Sequence, residues 1–175
     1  DTPMAADAAR TNVVLDLTAA AAVCTDLARL ETADALPDLL ARAAAIIDAR
    51  GLIVWMGAGE QLFAAAAHGY DVRIVSRLAP IDRDAANATA TAWRTGRTGT
   101  VVGGNGAHGA IVVPMFNATH CIGVLAAEVR HGREHDGATR AIANTIAAQL
   151  GSVLGAWPAA STGGGPAAAL GRVAR

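Results

Sequence analysis

The stretch from Gly109 to Val129 constrains the fold most, because it holds two apolar runs separated by one short connection. The runs are Ile111–Phe116 and Cys121–Val129, and the four residues between them begin with Asn117. Two such runs joined by a short polar loop predict a β-hairpin. Neither run alternates between apolar and polar residues, which is typical of strands covered on both faces. We therefore expect this hairpin at the centre of a sheet, with helices on each side.

The composition excludes several classes of function. The chain has 175 residues, enough for one domain with a sizeable core, and its net charge of −1 gives no field that would recruit nucleic acid or an acidic membrane. All 14 basic residues are arginines. Without lysine, a P-loop lysine and a Schiff-base lysine are both impossible. No apolar run reaches the roughly 18 residues that a membrane-spanning helix needs.

The two cysteines, Cys24 and Cys121, lie in different predicted elements. Two are too few for a disulfide scaffold or a zinc knuckle, so they indicate a reducing compartment. We therefore expect a cytoplasmic location.

Hydrophobic periodicity predicts the other elements. Helices are expected from Thr11 or Asn12 to about Glu31 and over residues 37–48, 70–78, 85–95 and 138–157. A second hairpin pairs residues 52–56 with 62–67, and a short strand covers 100–102. Residues 1–10 are predicted to be disordered, 11–157 to form one domain, and 158–175 to be a linker or disordered tail.

The order of these elements resembles that of a GAF domain, the small-molecule sensory module of signalling proteins. Five stretches carry the resemblance: ALPDLLARAAAIIDARGLIVWM (35–56), FAAAAHGY (63–70), PIDRDAANATATAWRTGRTGTVV (80–102), the hairpin 111–128, and ANTIAAQLGSVL (143–154). The resemblance implies an α+β fold: an antiparallel sheet of about five or six strands with helices on both faces.

GAF-like domains place a ligand between one sheet face and the segments above it, here 70–78 and 82–96. The resemblance implies that the face of Ala126 and Glu128 looks into this pocket. The Glu128 carboxylate would bind a cationic or hydroxyl-bearing ligand, although a carboxylate at a strand end is more often solvated or paired with an arginine. The candidate ligand-binding residues are Trp55, Tyr70, Ile74, Trp93, Met115, Ala126 and Glu128.

Several specific ligands find little support. The polar set of cyclic-nucleotide-binding relatives is missing, and His120 beside Cys121 does not lie where bilin-binding relatives attach their chromophore. His68 and His108 are the candidate haem ligands, though loop histidines are usually solvated. His131 and His135 are spaced for a metal site on a helix, but we expect a solvated turn there and no metal. The cofactor stays unknown.

We predict a non-catalytic sensory or regulatory domain that binds a small ligand and forms a homodimer through its terminal helices, Asn12–Glu31 and Ala138–Trp157. An output domain elsewhere in the protein would carry the response, and no nucleic acid or membrane would bind here. One alternative is a dimerisation or protein-interaction module with an empty pocket. The other is a thiol-dependent enzyme like the free methionine sulfoxide reductases, which share this fold. Cys121 lacks a nearby resolving thiol, and we therefore predict that the chain is not an enzyme.

Overall fold

The computed structural model describes residues 15–157. The helices in this range are α1 (Leu17–Ala28), α2 (Leu36–Ile47), α3 (Val72–Val75), α4 (Ala88–Thr95) and α5 (Gly137–Ala156). The strands are β1 (Ala49–Ala58), β2 (Gln61–His68), β3 (Ile81–Asp82), β4 (Gly99–Val101), β5 (Gly109–Phe116) and β6 (Cys121–Val129). The ends predicted to be disordered, 1–10 and 158–175, lie outside the described residues.

The six strands form one antiparallel sheet in the order β3-β2-β1-β6-β5-β4. The central pair is β1 and β6, and β5 lies directly beside β6. The Asn117 side chain closes the β5–β6 connection by accepting hydrogen bonds from the backbone N–H groups of Thr119 and His120, both at 2.9 Å. The predicted α+β fold and the central position of this hairpin are confirmed.

One face of the sheet carries the main hydrophobic core. Helices α2 and α5 pack on this face, and α1 packs on both of them. The burial follows the 3.6-residue period of α2 and the alternation of the strands. The largest fully buried side chains here are Leu27, Leu36, Leu40, Ile47, Leu52, Met56, Ile111, Met115, Leu125, Ile146 and Leu150. We call this surface the helix face.

Two predicted helices are shorter than expected. The first begins at Leu17, because the Asp16 carboxylate accepts a hydrogen bond from the Ala19 N–H at 2.9 Å and caps the helix there. It ends at Ala28 instead of Glu31, and its predicted cap at residue 11 or 12 lies outside the described part of the chain. Helix α3 covers four residues instead of 70–78, since it buries none of its side chains and packing does not extend it.

The 20-residue helix α5 lies close against the β5–β6 hairpin. A Cβ atom at Gly151 would collide with the backbone oxygen of Phe116, so only glycine permits this approach. None of the helices between residues 15 and 157 has the length and apolar character needed to cross a membrane.

Candidate functional site

The opposite face of the sheet is only partly covered. Helix α4 packs on it through Ala92 and Trp93, while Ile53, Ala64 and Ala126 stay half-buried. We call this surface the open face. It is formed by alternate residues of four strands: Gly51, Ile53, Trp55, Gly57, Leu62, Ala64, Val112, Val124, Ala126 and Glu128.

Two glycines of β1 provide space for two aromatic rings on the open face. A Cβ atom at Gly51 would overlap the ring of Tyr70, and a Cβ atom at Gly57 would lie 2.8 Å from Cζ2 of Trp93. Residues six positions apart in a strand point to the same face and are about 20 Å apart. The two rings therefore rest directly on the β1 backbone, at opposite ends of one surface.

A polar cluster occupies the Tyr70 end. The Tyr70 hydroxyl donates to Oε2 of Glu128 at 2.7 Å, and Nη1 of Arg50 lies 3.2 Å from Oε1. The Arg50 side chain is 51% exposed, so its ion pair contributes little stability. Burial raises the pKa of Tyr70, and the neighbouring Glu128 carboxylate raises it further. Tyr70 is therefore a neutral hydrogen-bond donor at physiological pH.

A cationic and aromatic cluster occupies the Trp93 end. Trp93 is 4% exposed, and its Nε1–H donates to the backbone oxygen of Cys121 at 3.3 Å. The guanidinium carbon of Arg83 lies 3.8 Å from the centre of the Trp93 ring. Burial raises the pKa of the Cys121 thiol, although the Arg83 charge acts in the other direction. These residues border a cavity of about 320 Å³.

The segment after β2 leaves apolar side chains unpacked. Asp71 caps α3 by accepting a hydrogen bond from the Arg73 N–H at 2.8 Å. Val72 and Ile74 are nevertheless 56% and 60% exposed. This segment therefore offers apolar contact area that the described residues do not use.

The structure separates the predicted site residues into three groups. Tyr70, Glu128 and Ala126 share the open face with the buried Trp55, and Trp93 lies at its far end. Ile74 projects from the exposed helix α3. Met115 does not join them, because it pairs with Gly123 and points into the core of the helix face, where it is fully buried.

Phe63 of β2 is 36% exposed. The sequence did not predict the contacts of Arg50 and Arg83, or the close approach of aromatic rings to Gly51 and Gly57. A glycine inside a strand was the available signal, since it often marks a close approach of another group.

The histidines near α5 each contact a different carboxylate. Nδ1 of His131 lies 2.6 Å from Oδ2 of Asp48, and Nε2 of His135 lies 3.5 Å from Oε1 of Glu134. Across residues 15–157, no group of three or more His, Cys, Asp or Glu side chains is placed to hold a metal ion. The carboxylates here join loops: Glu134 accepts from the Gly103 N–H at 3.0 Å.

Comparison with known proteins identifies the family. The model of the GAF domain family matches residues 31–155. The chain belongs to the GAF family. No curated protein matches it by sequence. The fold resembles the GAF domain of a phosphoenolpyruvate-protein phosphotransferase from Acinetobacter, with a TM-score of 0.66, 12% identity, and coverage of 78% of this chain and 90% of that one.

Two further structures show the range of the fold. The GAF domain of nlh2 from A. aeolicus, in an inactive state, has a TM-score of 0.64 and 13% identity, covering 77% of this chain and 94% of that one. The free methionine-R-sulfoxide reductase of Neisseria meningitidis, solved with its substrate, has a TM-score of 0.63 and 18% identity, covering 90% of each chain.

The prediction that this chain is not an enzyme is wrong, because the GAF fold does not exclude catalysis. It rested on the missing resolving thiol near Cys121. Solved structures with the same fold include methionine-R-sulfoxide reductases, so the architecture supports regulatory and catalytic members alike. At 16–18% identity, these structures establish the shared fold.

Proposed function

We propose that this GAF domain is a sensory or regulatory module that binds a small ligand on the open face. The observation that carries the proposal is the unequal covering of the two sheet faces. On the helix face, Leu52 and Met56 are at most 2% exposed, whereas Ile53 and Ala126 on the open face are only half-buried. A partly covered apolar surface beside a few convergent polar groups is typical of a ligand site.

The polar cluster sets the chemistry of this ligand. Its apolar body would pack on Ile53 and Ala126, and a cationic or hydroxyl group would reach Glu128. A cation would replace Arg50, whose exposed ion pair is weak. A ligand hydroxyl would also donate to the lone pairs that the Tyr70 oxygen retains while its proton is bonded to Glu128.

A thermal-shift screen with small amines, polyols and neutral aromatic compounds tests this proposal. A ligand at about 100 times its Kd stabilises the folded state by about 2.7 kcal/mol, which raises Tm by roughly 5–10 °C for a domain of this size. Glu128→Gln should abolish the shift, and Glu31→Gln, at an exposed position, should retain it. If no compound moves Tm, the ligand proposal fails and a dimerisation module with an empty pocket replaces it.

We also propose that the signal leaves through the helices opposite the open face. Helices α1 and α5 contact each other there, and Leu17 of α1 is 69% exposed. This surface supports a homodimer through α1 and α5, joined to an output domain. A ligand shifts such an assembly only if it binds one of two states more tightly.

Sedimentation of the purified domain tests the dimer. Leu17→Glu should shift it to a monomer. Val102→Glu should not, because this residue, 67% exposed, follows the edge strand β4 and lies outside both helices. A wild-type protein that is monomeric at micromolar concentration would refute this interface.

A thiol-dependent reductase is the second candidate, supported by the shared fold and by the place of Cys121 on the wall of the cavity. The Cys121 thiolate would attack the sulfur of a sulfoxide, whose oxygen takes a proton from solvent. The sulfide then leaves, and the cysteine keeps the oxygen as a sulfenic acid. An external dithiol would then reduce the sulfenic acid, forming its own disulfide and water.

The burial that raises the Cys121 pKa opposes thiolate formation. In an assay with free methionine-R-sulfoxide and dithiothreitol, Cys121→Ser should abolish methionine formation and Cys24→Ser should retain it. Equal rates for wild type and Cys121→Ser would eliminate this candidate.

Both thiols are free, which supports a reducing, cytoplasmic setting as part of the proposal.

A further inference from the structure

Several parts of the chain line the cavity at the Trp93 end, including the segment after β3 with Arg83 and helix α4 with Trp93. It lies between the β1–β2 turn, the β5–β6 connection and the last turn of α5. Its polar groups come from Arg83, Asn117 and His120, and its aromatic walls are Trp93 and Trp157. A volume of about 320 Å³ is at the small end of the range for ligand sites.

Arg83 is a positioned cation in this cavity. Its backbone N–H donates to the Glu60 oxygen at 2.8 Å, and its guanidinium stacks on the buried Trp93 ring. The Glu60 carboxylate lies 3.1 Å from Nε of Arg83, but that side chain is 82% exposed. Such an exposed pair contributes little, so a better-placed anion can displace Glu60.

A neutral donor, the Asn117 amide, lines the same cavity. The Asn117 Oδ1 atom is fully used in the turn, where it accepts from the Thr119 N–H, the Thr119 hydroxyl and the His120 N–H. Among residues 15–157, the Nδ2 group of Asn117 has no acceptor. It therefore remains available to donate to a ligand that enters the cavity.

We propose that this cavity binds a small organic carboxylate, whose anion pairs with Arg83 and whose flat apolar body packs on Trp157. One guanidinium, one neutral amide donor and the nearby Glu60 charge favour a monoanion over a phosphate dianion. This site is separate from the one proposed on the open face, because it lies at the opposite end of β1 and has the opposite charge.

The site also contacts the end of α5. Gly155 and Trp157 line the cavity, and a Cβ atom at Gly155 would lie 2.5 Å from Cβ of Asn117. A bound carboxylate therefore bridges the hairpin connection and the last turn of this helix. We expect amide hydrogen exchange in residues 150–157 to slow when the ligand binds.

Calorimetric titration with benzoate, benzamide and phenyl phosphate tests the proposal. Benzoate should bind the wild-type chain, and benzamide, its neutral analogue, should bind at least about tenfold more weakly. Arg83→Gln should weaken benzoate binding about tenfold or more, with Arg83→Lys in between. Glu60→Gln should tighten it by about two- to fivefold, because the competing carboxylate is removed.

Two controls separate this site from the rest of the molecule. Arg29→Gln removes the same charge from the end of α1 and should leave benzoate affinity unchanged. Glu128→Gln should also leave it unchanged, whether or not the open face binds its own ligand. Absence of benzoate binding, equal binding of benzamide, tighter binding of phenyl phosphate, or unchanged binding in a folded Arg83→Gln protein would each overturn the proposal.

Discussion

The hydrogen bond between Tyr70 and Glu128 is the polar contact of the open face that is simplest to remove. Tyr70→Phe deletes the hydroxyl, 2.7 Å from Oε2 of Glu128, and keeps the ring on Gly51. A hydrogen bond to a charged acceptor contributes about 1.5–3 kcal/mol, and the half-exposed setting lowers this value. We expect a loss of about 1–1.5 kcal/mol in the free energy of unfolding, which corresponds to roughly 2–6 °C in Tm.

The pH dependence of this loss identifies its cause. Tyr70 is the only tyrosine and there is no lysine, so above pH 9 only Tyr70 and the two cysteines titrate among the non-arginine side chains. Folding raises the pKa of Tyr70. A raised pKa gives stability that is present below the unfolded value of about 10 and is lost as pH rises toward the folded value. The free energy of unfolding of the wild type should therefore exceed that of Tyr70→Phe by about 1 kcal/mol less at pH 11 than at pH 9.

Urea unfolding of both proteins at about pH 8 and pH 11 measures this change, and the cysteine contributions cancel because both proteins carry them. The ultraviolet band of tyrosinate provides a second readout on the single tyrosine. The proposed contribution of the Tyr70 hydroxyl is refuted if the difference in stability between the two proteins is the same at both pH values. It is equally refuted if tyrosinate forms in the folded protein near the ordinary tyrosine pKa.

Two further substitutions test the packing and the capping. Gly123→Ala should destabilise the domain by at least about 3 kcal/mol in urea unfolding, because the new Cβ would collide with the backbone oxygen of Trp55. The control Gly104→Ala, whose Cβ would meet nothing within 4 Å, should change the stability by no more than about 0.5 kcal/mol. Asp136→Ala should cost about 1 kcal/mol at pH 7, because this carboxylate accepts from the Thr139 N–H at 2.9 Å. Its bonds to Thr139 lower the pKa of Asp136, so the loss measured by thermal unfolding should fade as pH falls below about 4; a loss that persists there would contradict the capping role.

Secondary structure was predictable from the sequence where the residues of a segment determine its structure without contacts from elsewhere in the chain. The strand Cys121–Val129 has the predicted bounds, because this apolar run lies between a polar turn on one side and Arg130 on the other. The last helix begins at Gly137, one residue before the predicted start, where the Asp136 carboxylate caps it. Strand β3 was missed, since two residues carry no periodicity and Ile81 is placed by its pairing with Leu62 on β2.

The site was less predictable, because its contacts join residues that are far apart in sequence. Strand alternation correctly places Ala126 and Glu128 on one face, whereas Met115 has the opposite parity and lies in the core of the helix face. A single sequence also could not show that Glu128 would meet both Arg50 and Tyr70. These pairings depend on the β1–β6 register and on the path of the chain after β2.

The two ends of the open face differ in charge and are both fixed by glycines of one strand. Gly51 and Gly57 are about 20 Å apart along β1, more than twice the screening length of about 8 Å at physiological ionic strength. Direct interaction of the Glu128 or Arg83 charge with a ligand at the other end is therefore largely screened. If both proposed ligands bind and one alters the affinity of the other, the coupling must pass through packed groups. Trp55 and Trp93 provide that contact, since they pack in one cluster. Trp55→Leu should then abolish the coupling in paired titrations. It should leave each separate affinity within about threefold.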